Sequence, residues 1–229
     1  MDRYSKITKK FPREIVLLKA HPCKWGRCSF CDYIEDNSVD EEEIFRINQE
    51  VLSHVTGEFG VLEVIDSASC FELPKSTLDL VKRVVQKKNI KKLFLESHWI
   101  YRHRLQEMKD FFGIPILFKI GVETFDNDFR ERILNKNAKF KTPEEVAKYF
   151  DSPCIIVGIQ GQTKEMIKKD IEIARKYFDH ATINVYTNNT TCIRRNEDLV
   201  KWFQENFKYL EKDPQFEVLW QNTDFGVGD

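Results

Sequence analysis

The chain has 229 residues, 36 basic and 37 acidic, with 41% hydrophobic and 13% aromatic side chains. That length supports a sizeable core in one domain or two small ones. A net charge of -1 gives no electrostatic reason to expect nucleic acid or an anionic membrane as a partner.

EIVLLKA (14–20) reads as a buried strand, followed at once by the loop HPCKWGRCSFCDY (21–33). Over 40–55, Ile44, Ile47, Val51, Leu52 and Val55 fall at helical spacing behind an acidic first turn. VLEVID (61–66) is a second strand, and 76–85 a helix with Pro74 just before it. KLFLE (92–96) is a third strand, and 101–112 a helix ended near Gly113. ILFKIGVE (116–123) precedes a helical stretch over 127–150, in two pieces broken before Pro143. CIIVGI (154–159) leads to a helix over 163–177, and ATINVY (181–186) to one over 197–210. FEVLW (216–220) reads as a last short strand before the polar end QNTDFGVGD (221–229).

Six strand–helix units in strict alternation imply a parallel sheet with helices outside. No low-complexity linker divides them, so 1–229 is expected as one domain with its core over about 14–210. Periodicity leaves two forms standing, an open doubly wound sheet and a partial, TIM-like (β/α)6 barrel. Position favours the barrel. The segments after the strands are chemically unusual (DSASCFE, ESHWIYR, ETFDND, QGQTKE, TNNTT), whereas those before them are routine turns. In parallel α/β folds ligands gather at the carboxyl ends of strands. An apolar barrel lining is expected, and the segment 211–229 is expected to fold back over the mouth or to fray.

No apolar run reaches the ~18 residues that span a bilayer, and MDRYSKITKKFPRE lacks the apolar stretch of a signal peptide. The expectation is a cytoplasmic protein, where clustered cysteines serve metals or catalysis more often than disulfides. Cys23, Cys28 and Cys31 stand at C-x4-C-x2-C spacing, half of the chain's six cysteines. Three readings fit them. Structural zinc would recruit His21 as a fourth ligand. A plant-type [2Fe–2S] site would recruit Cys70, Cys154 or Cys192. A [4Fe–4S] cluster held by three thiolates would leave one iron open.

The cysteine loop, placed directly after the first strand of a (β/α)6 pattern, resembles that of the radical SAM superfamily, and the resemblance runs over about 14–210. The usual superfamily spacing is C-x3-C-x2-C, from which this sequence departs by one residue. The resemblance implies a [4Fe–4S] cluster on Cys23, Cys28 and Cys31, with S-adenosyl-L-methionine (SAM) chelating the fourth iron. An electron through the cluster would split the sulfonium and give a 5′-deoxyadenosyl radical. Phe30 matches the aromatic position whose backbone meets adenine. Ser67, Ala68 and Ser69 stand where the family holds the amino group of SAM; DSASCFE lacks the usual glycines and glutamate and is similar to the variant of the archaeosine synthase radical subunit. Glu123 matches a position that meets the ribose, and Gly158, Ile159 and Gln160 a fifth-strand motif near adenine. Asn184 and Tyr186 match adenine contacts on the sixth strand.

Candidate substrate residues are those that project from strand ends: Asp66, Glu96, His98, Tyr101, Asp126, Gln160, Gln162 and Asn188, with Asp224 in the tail. His98, Trp99 and Tyr101 suit a flat heteroaromatic ligand. Within the superfamily the chain is similar to the queuine lyase type, on HPCKWGRCSFCDY, DSASCFE, ESHWIYR and GVETFD. That implies conversion of free queuine, a 7-deazaguanine base, to its aminomethyl precursor preQ1. A small-molecule substrate is therefore expected, with an electron donor such as flavodoxin or ferredoxin, and neither nucleic acid nor membrane as partner.

Overall fold

The computed structural model describes residues 3–221. One eight-stranded sheet runs in the order β1 to β8: Tyr4–Ile7, Arg13–Leu18, Val61–Asp66, Lys92–Glu96, Ile116–Glu123, Ser152–Val157, Ala181–Val185 and Phe216–Leu219. β1 pairs antiparallel with β2, and each later pair is parallel. The strand order never reverses, so there is no switch point and the doubly wound alternative falls. β1 lies outside the expected pattern. Four residues with only Ile7 buried leave periodicity little to show.

The helices are α1 to α6: Glu41–Ser53, Lys75–Lys87, Leu105–Phe112, Pro143–Ala147, Lys164–Tyr177 and Glu197–Phe207. Asp40 caps α1 by accepting from the Glu42 and Glu43 N–H groups at 3.0 and 3.1 Å. Thr163 and Asn196 cap α5 and α6 in the same way, and Gly113, at φ 69°, ends α3. Two expectations need correction. The segment 101–112 begins as a short 3-10 turn, Trp99–Tyr101, and is α-helical only from Leu105. The segment 127–150 holds a π-type turn, Phe129–Ile133, and the short α4, with irregular chain between them in which Asn135 and Asn137 take positive φ. Buried Arg130 holds that chain out of a helix by donating to the carbonyls of Ala138 and Phe140, and ties it to Thr124 just before the segment, each at 3.1 Å. The guanidinium answers backbone groups that a helix would have paired internally.

Strand residues alternate between two environments. Val16, Leu18, Leu62, Val64, Leu93, Leu95, Ile155 and Val157 belong to the large apolar core that the helices share. The opposite face is only partly the apolar lining expected of it: Ile15, Ile65, Ile156 and Leu219 lie there among charged groups. It carries Arg13, Glu63, Glu96, Lys119, Glu123 and Glu217 around a cavity. Arg13, 2% exposed, bonds Glu63 of β3 at 2.5 Å and Glu217 of β8 at 2.8 Å. Lys119 of β5 reaches Glu63 at 2.6 Å. Strands β2 and β8 stand six places apart in the sheet, so a direct bond between their side chains requires the sheet to curl into a partial barrel. Lys10, in the β1–β2 turn, crosses the gap and donates to the carbonyls of Leu210 and Glu211 at 3.1 and 2.9 Å.

Replacing Arg13 by Met leaves two buried carboxylates with too little positive charge. R13M is expected to lose about 3–5 kcal/mol in urea unfolding. Burial alone would raise the Glu63 carboxyl, but Lys119 and Arg13 together outweigh it and hold the group down to about 2 from an ordinary 4.5. Its folded value lies below its unfolded one, so its contribution is complete above about pH 4.5 and disappears as pH falls towards 2. Urea midpoints measured across that window are expected to fall with pH.

Candidate active site

The cysteine loop leaves β2 at the carboxyl edge of the sheet and is braced from three sides. Asn37 accepts from the Cys23 N–H at 3.2 Å and donates to the Ser67 carbonyl and hydroxyl at 2.9 and 3.0 Å. Ser67 Oγ also accepts from the Ala20 N–H. Glu72 accepts from the Lys24 N–H at 3.2 Å and from the Tyr101 hydroxyl at 2.5 Å. On the third side the irregular segment after Ile133 grips the loop. Trp25 Nε1 donates to the Asn135 carbonyl and Ser29 Oγ to the Ile133 carbonyl, both at 2.6 Å. Asn135 Nδ2 returns a bond to the Arg27 carbonyl at 2.7 Å.

Asn135 and Asn137 adopt φ of 50° and 53°, a region asparagine tolerates better than most residues. The residue between them, Lys136, is thereby turned inward. Its ammonium lies 2.6 Å from Glu123 and 5.5 Å from the centre of the Phe30 ring. Its charge acts on both Cys28 and Cys31. Glu123 has φ 62° at a register shift in β5, a strained conformation of the kind that functional sites hold. Its carboxylate folds back over Gly121, where a Cβ would come within 2.4 Å of Glu123 Oε1 and 2.9 Å of Lys136 Nζ. Sequence reasoning missed Lys136. Its only signal was an N-K-N turn triplet inside a stretch read as helix.

Burial pushes the Cys31 thiol up to about 12 and the Cys28 thiol upward too, with Lys136 pulling both the other way. Bare thiolates are therefore costly here, and positive charge at the sulfurs, as iron supplies, favours them. All six cysteines are free. Cys70 is buried in the main core, Cys154 sits on β6 beside Glu96, and Cys192 is exposed. The loop thus offers three thiols and no fourth, a donor set that fits a four-iron cluster with one iron left for another ligand. Among the described residues, no three His, Cys, Asp or Glu side chains converge as ligands of a single ion would. Thiolates on three separate irons need not converge.

A cavity of about 880 Å³ opens below the loop, near the top of the ~300–1,000 Å³ range of small-molecule sites. Of the residues expected at the cofactor, Phe30, Ala68, Glu123, Asn184 and Tyr186 line it, together with Cys31. Ile159 packs behind them with Phe30 and Tyr186. Ser67 and Ser69 are buried and bond the chain around them. Gly158, at φ 85°, forms a turn closed by Gln162, whose amide accepts from the Gly158 N–H and donates to the Ile156 carbonyl, both at 2.9 Å. Gln160 is exposed.

Of the residues expected at the substrate, Asp66, Glu96, His98 and Asn188 line the cavity. One Asp66 oxygen accepts from the Ala68 N–H at 2.8 Å, and the other is buried without a partner. His98 has both ring nitrogens engaged. Nδ1 accepts from the Ile100 N–H, which leaves the Nε2 proton for the Lys136 carbonyl at 2.9 Å. Burial first, then Lys136, lowers His98 to about 4, so it is neutral at pH 7. Tyr101 and Asp126 are placed elsewhere. Tyr101 stacks on Phe71 and braces Glu72, while Asp126 accepts from the Phe129 N–H at 2.9 Å and lines a separate small cavity. Of the segment expected over the mouth, Phe216–Leu219 is β8, and 222–229 with Asp224 lies outside the described residues. The loop after β7 reaches across the mouth. Asn189 donates to the Phe30 carbonyl at 2.7 Å, and Thr190 to Glu35 at 2.6 Å.

Among the described residues no helix is long and apolar enough to cross a membrane. No family model matches the sequence. The structure is similar to a queuine lyase from Clostridium spiroforme bound to SAM and queuine, with 54% identity, a TM-score of 0.96 and 100% of both chains covered. It is similar in fold to methylornithine synthase, at 12% identity and a TM-score of 0.53 over 89% of this chain and 64% of that one. An uncharacterized protein of Methanocaldococcus jannaschii is 23% identical over 180 residues; the match covers 71% of this chain and 42% of that protein, less than half its length.

The thiol roles are checked by iron content after anaerobic reconstitution. C28A is expected to lose the brown cluster, and C192A to hold as much iron as the unsubstituted protein. With three free thiols at the mouth of a partial barrel and a full-length relative at 54% identity, the chain belongs to the radical SAM enzymes, in the family of the queuine lyases.

Proposed function

We propose that the chain is a radical SAM lyase that converts free queuine to preQ1, and the observation that carries this is the full-length match to the Clostridium spiroforme enzyme. Cys23, Cys28 and Cys31 would hold the cluster. When bound, the cluster and SAM supply one-electron cleavage of the sulfonium and a carbon radical that takes hydrogen from substrate.

The chain's own part is placement. Lys136 sets a fixed positive charge beside Cys28 and Cys31, and Glu123 keeps that charge from being buried unpaired. Asp66 and Ala68 face the cavity from the end of β3, where the amino-acid moiety of SAM would lie. Phe30, Ile156 and Tyr186 give an apolar wall for adenine. The Asn189 and Thr190 bonds across the mouth restrict water. Cytoplasmic flavodoxin or ferredoxin would supply the electron, in a compartment that keeps the thiols reduced.

The test is anaerobic incubation of the reduced, reconstituted protein with SAM and a panel of 7-deazaguanines. The expected products from queuine are preQ1 and 5′-deoxyadenosine by mass spectrometry. Cleavage of SAM without preQ1 removes the lyase assignment and leaves the enzyme class in place.

A further inference from the structure

The cavity's charges are not balanced. Arg13 is shared by Glu63 and Glu217, Lys119 sits on Glu63, and Lys136 on Glu123. Asp32 and Glu35 line the mouth, where Thr190 bonds both; of the carboxylates on the strands, Asp66 of β3 and Glu96 of β4 remain without a cation closer than 4.0 Å among the described residues. Glu96 has the Cys154 thiol at 3.6 Å and the Lys119 ammonium at 4.0 Å, but that ammonium already lies 2.6 Å from Glu63. Burial first raises both carboxyls; the Ala68 N–H opposes it at Asp66, and Lys119 opposes it at Glu96, whose side chain is partly open to the cavity. A cationic group of a ligand entering the cavity would meet Glu96 there as a partner whose nearest cation is already engaged by Glu63.

Their depths differ. Val64 pairs with Leu95, so Glu96 is level with Ile65, one step deeper than Asp66. Asp66 adjoins Ala68 and the serines that brace the cysteine loop. Glu96 is level with Lys119, towards the charged floor. Resting on the lyase reading above, queuine carries a secondary amine between the deazaguanine methylene and the cyclopentenediol, and this amine is protonated at neutral pH. We propose that Glu96 holds this ammonium, and so fixes the nitrogen of the bond to be broken within the barrel. Asp66, nearer the cofactor motif, is left to the cofactor side of the cavity.

The discriminating probe is 7-deazaguanine, which has the same pyrimidine edge and lacks the aliphatic, protonated amine. Binding is measured by anaerobic calorimetry on reconstituted, unreduced protein saturated with SAM, so that no turnover intervenes. In Glu96→Gln, which keeps the shape and removes the charge, the Kd for queuine is expected to rise by about tenfold or more. Affinities for 7-deazaguanine and for SAM should stay within about twofold, and unchanged SAM binding shows that the variant is folded. Unchanged queuine affinity, or equal loss for both bases, overturns the inference and leaves the lyase reading standing. Unsubstituted protein that binds SAM but not queuine removes that reading and the inference with it.

Discussion

A guanidinium shut away from water must find acceptors for its donors, and Arg13 draws two carboxylates to one point, from the neighbouring β3 and from β8 at the far edge of the sheet. Parallel pairing sets the neighbours of each strand, but it does not oblige β8 to approach β2. The Arg13–Glu217 bond does, and Lys119 extends the same lattice to β5 through Glu63. These groups stand on the lower and middle turns of their strands, so they fill the base of the barrel with paired charge. Everything placed above, from the cavity to the cysteine loop, depends on that curvature. An apolar plug of equal volume would give comparable or greater stability. Charge here therefore makes better sense as the floor of a polar site than as a device for stability.

The cysteine loop depends on a second constraint. A segment with three thiols, a glycine at φ 55° and little regular structure cannot hold itself in one shape. It borrows rigidity from β3 through Asn37 and Ser67, from β4 through Tyr101 and Glu72, and from the segment after Ile133 through backbone carbonyls. The last of these also delivers Lys136. One stretch of chain thus fixes the loop and sets the charge beside two of its sulfurs, so the geometry and the electrostatics of the thiols are coupled by construction.

Much of this was readable in the sequence, for identifiable reasons. Strand and helix alternation is a local periodic signal, and all the expected strands formed. The three-cysteine loop is a local motif. Arg13, Glu63, Lys119 and Glu217 were visible as charges interrupting apolar runs, yet their pairing joins strands as far apart as β2 and β8, and no local pattern encodes that. Lys136 was lost for a related reason. Arg130 overrides the helical tendency of 127–150 by binding the Ala138 and Phe140 carbonyls, which a helix would have used. Tyr101 looked like a ligand-stacking residue because it follows a strand end, but its hydroxyl is spent on Glu72. Position after a strand tells which residues are near the mouth; it does not tell which way they face.

The two ends of the barrel differ in what it costs to disturb them. At the base, separating Arg13 from its partners would strand buried charges, at several kcal/mol. At the mouth, the Thr190–Glu35 bond is solvent-exposed and the Asn189–Phe30 bond only partly buried, and bonds of this kind contribute about 0.5–1.5 kcal/mol each. Ligand exchange therefore belongs to the mouth, where water can replace the broken bonds.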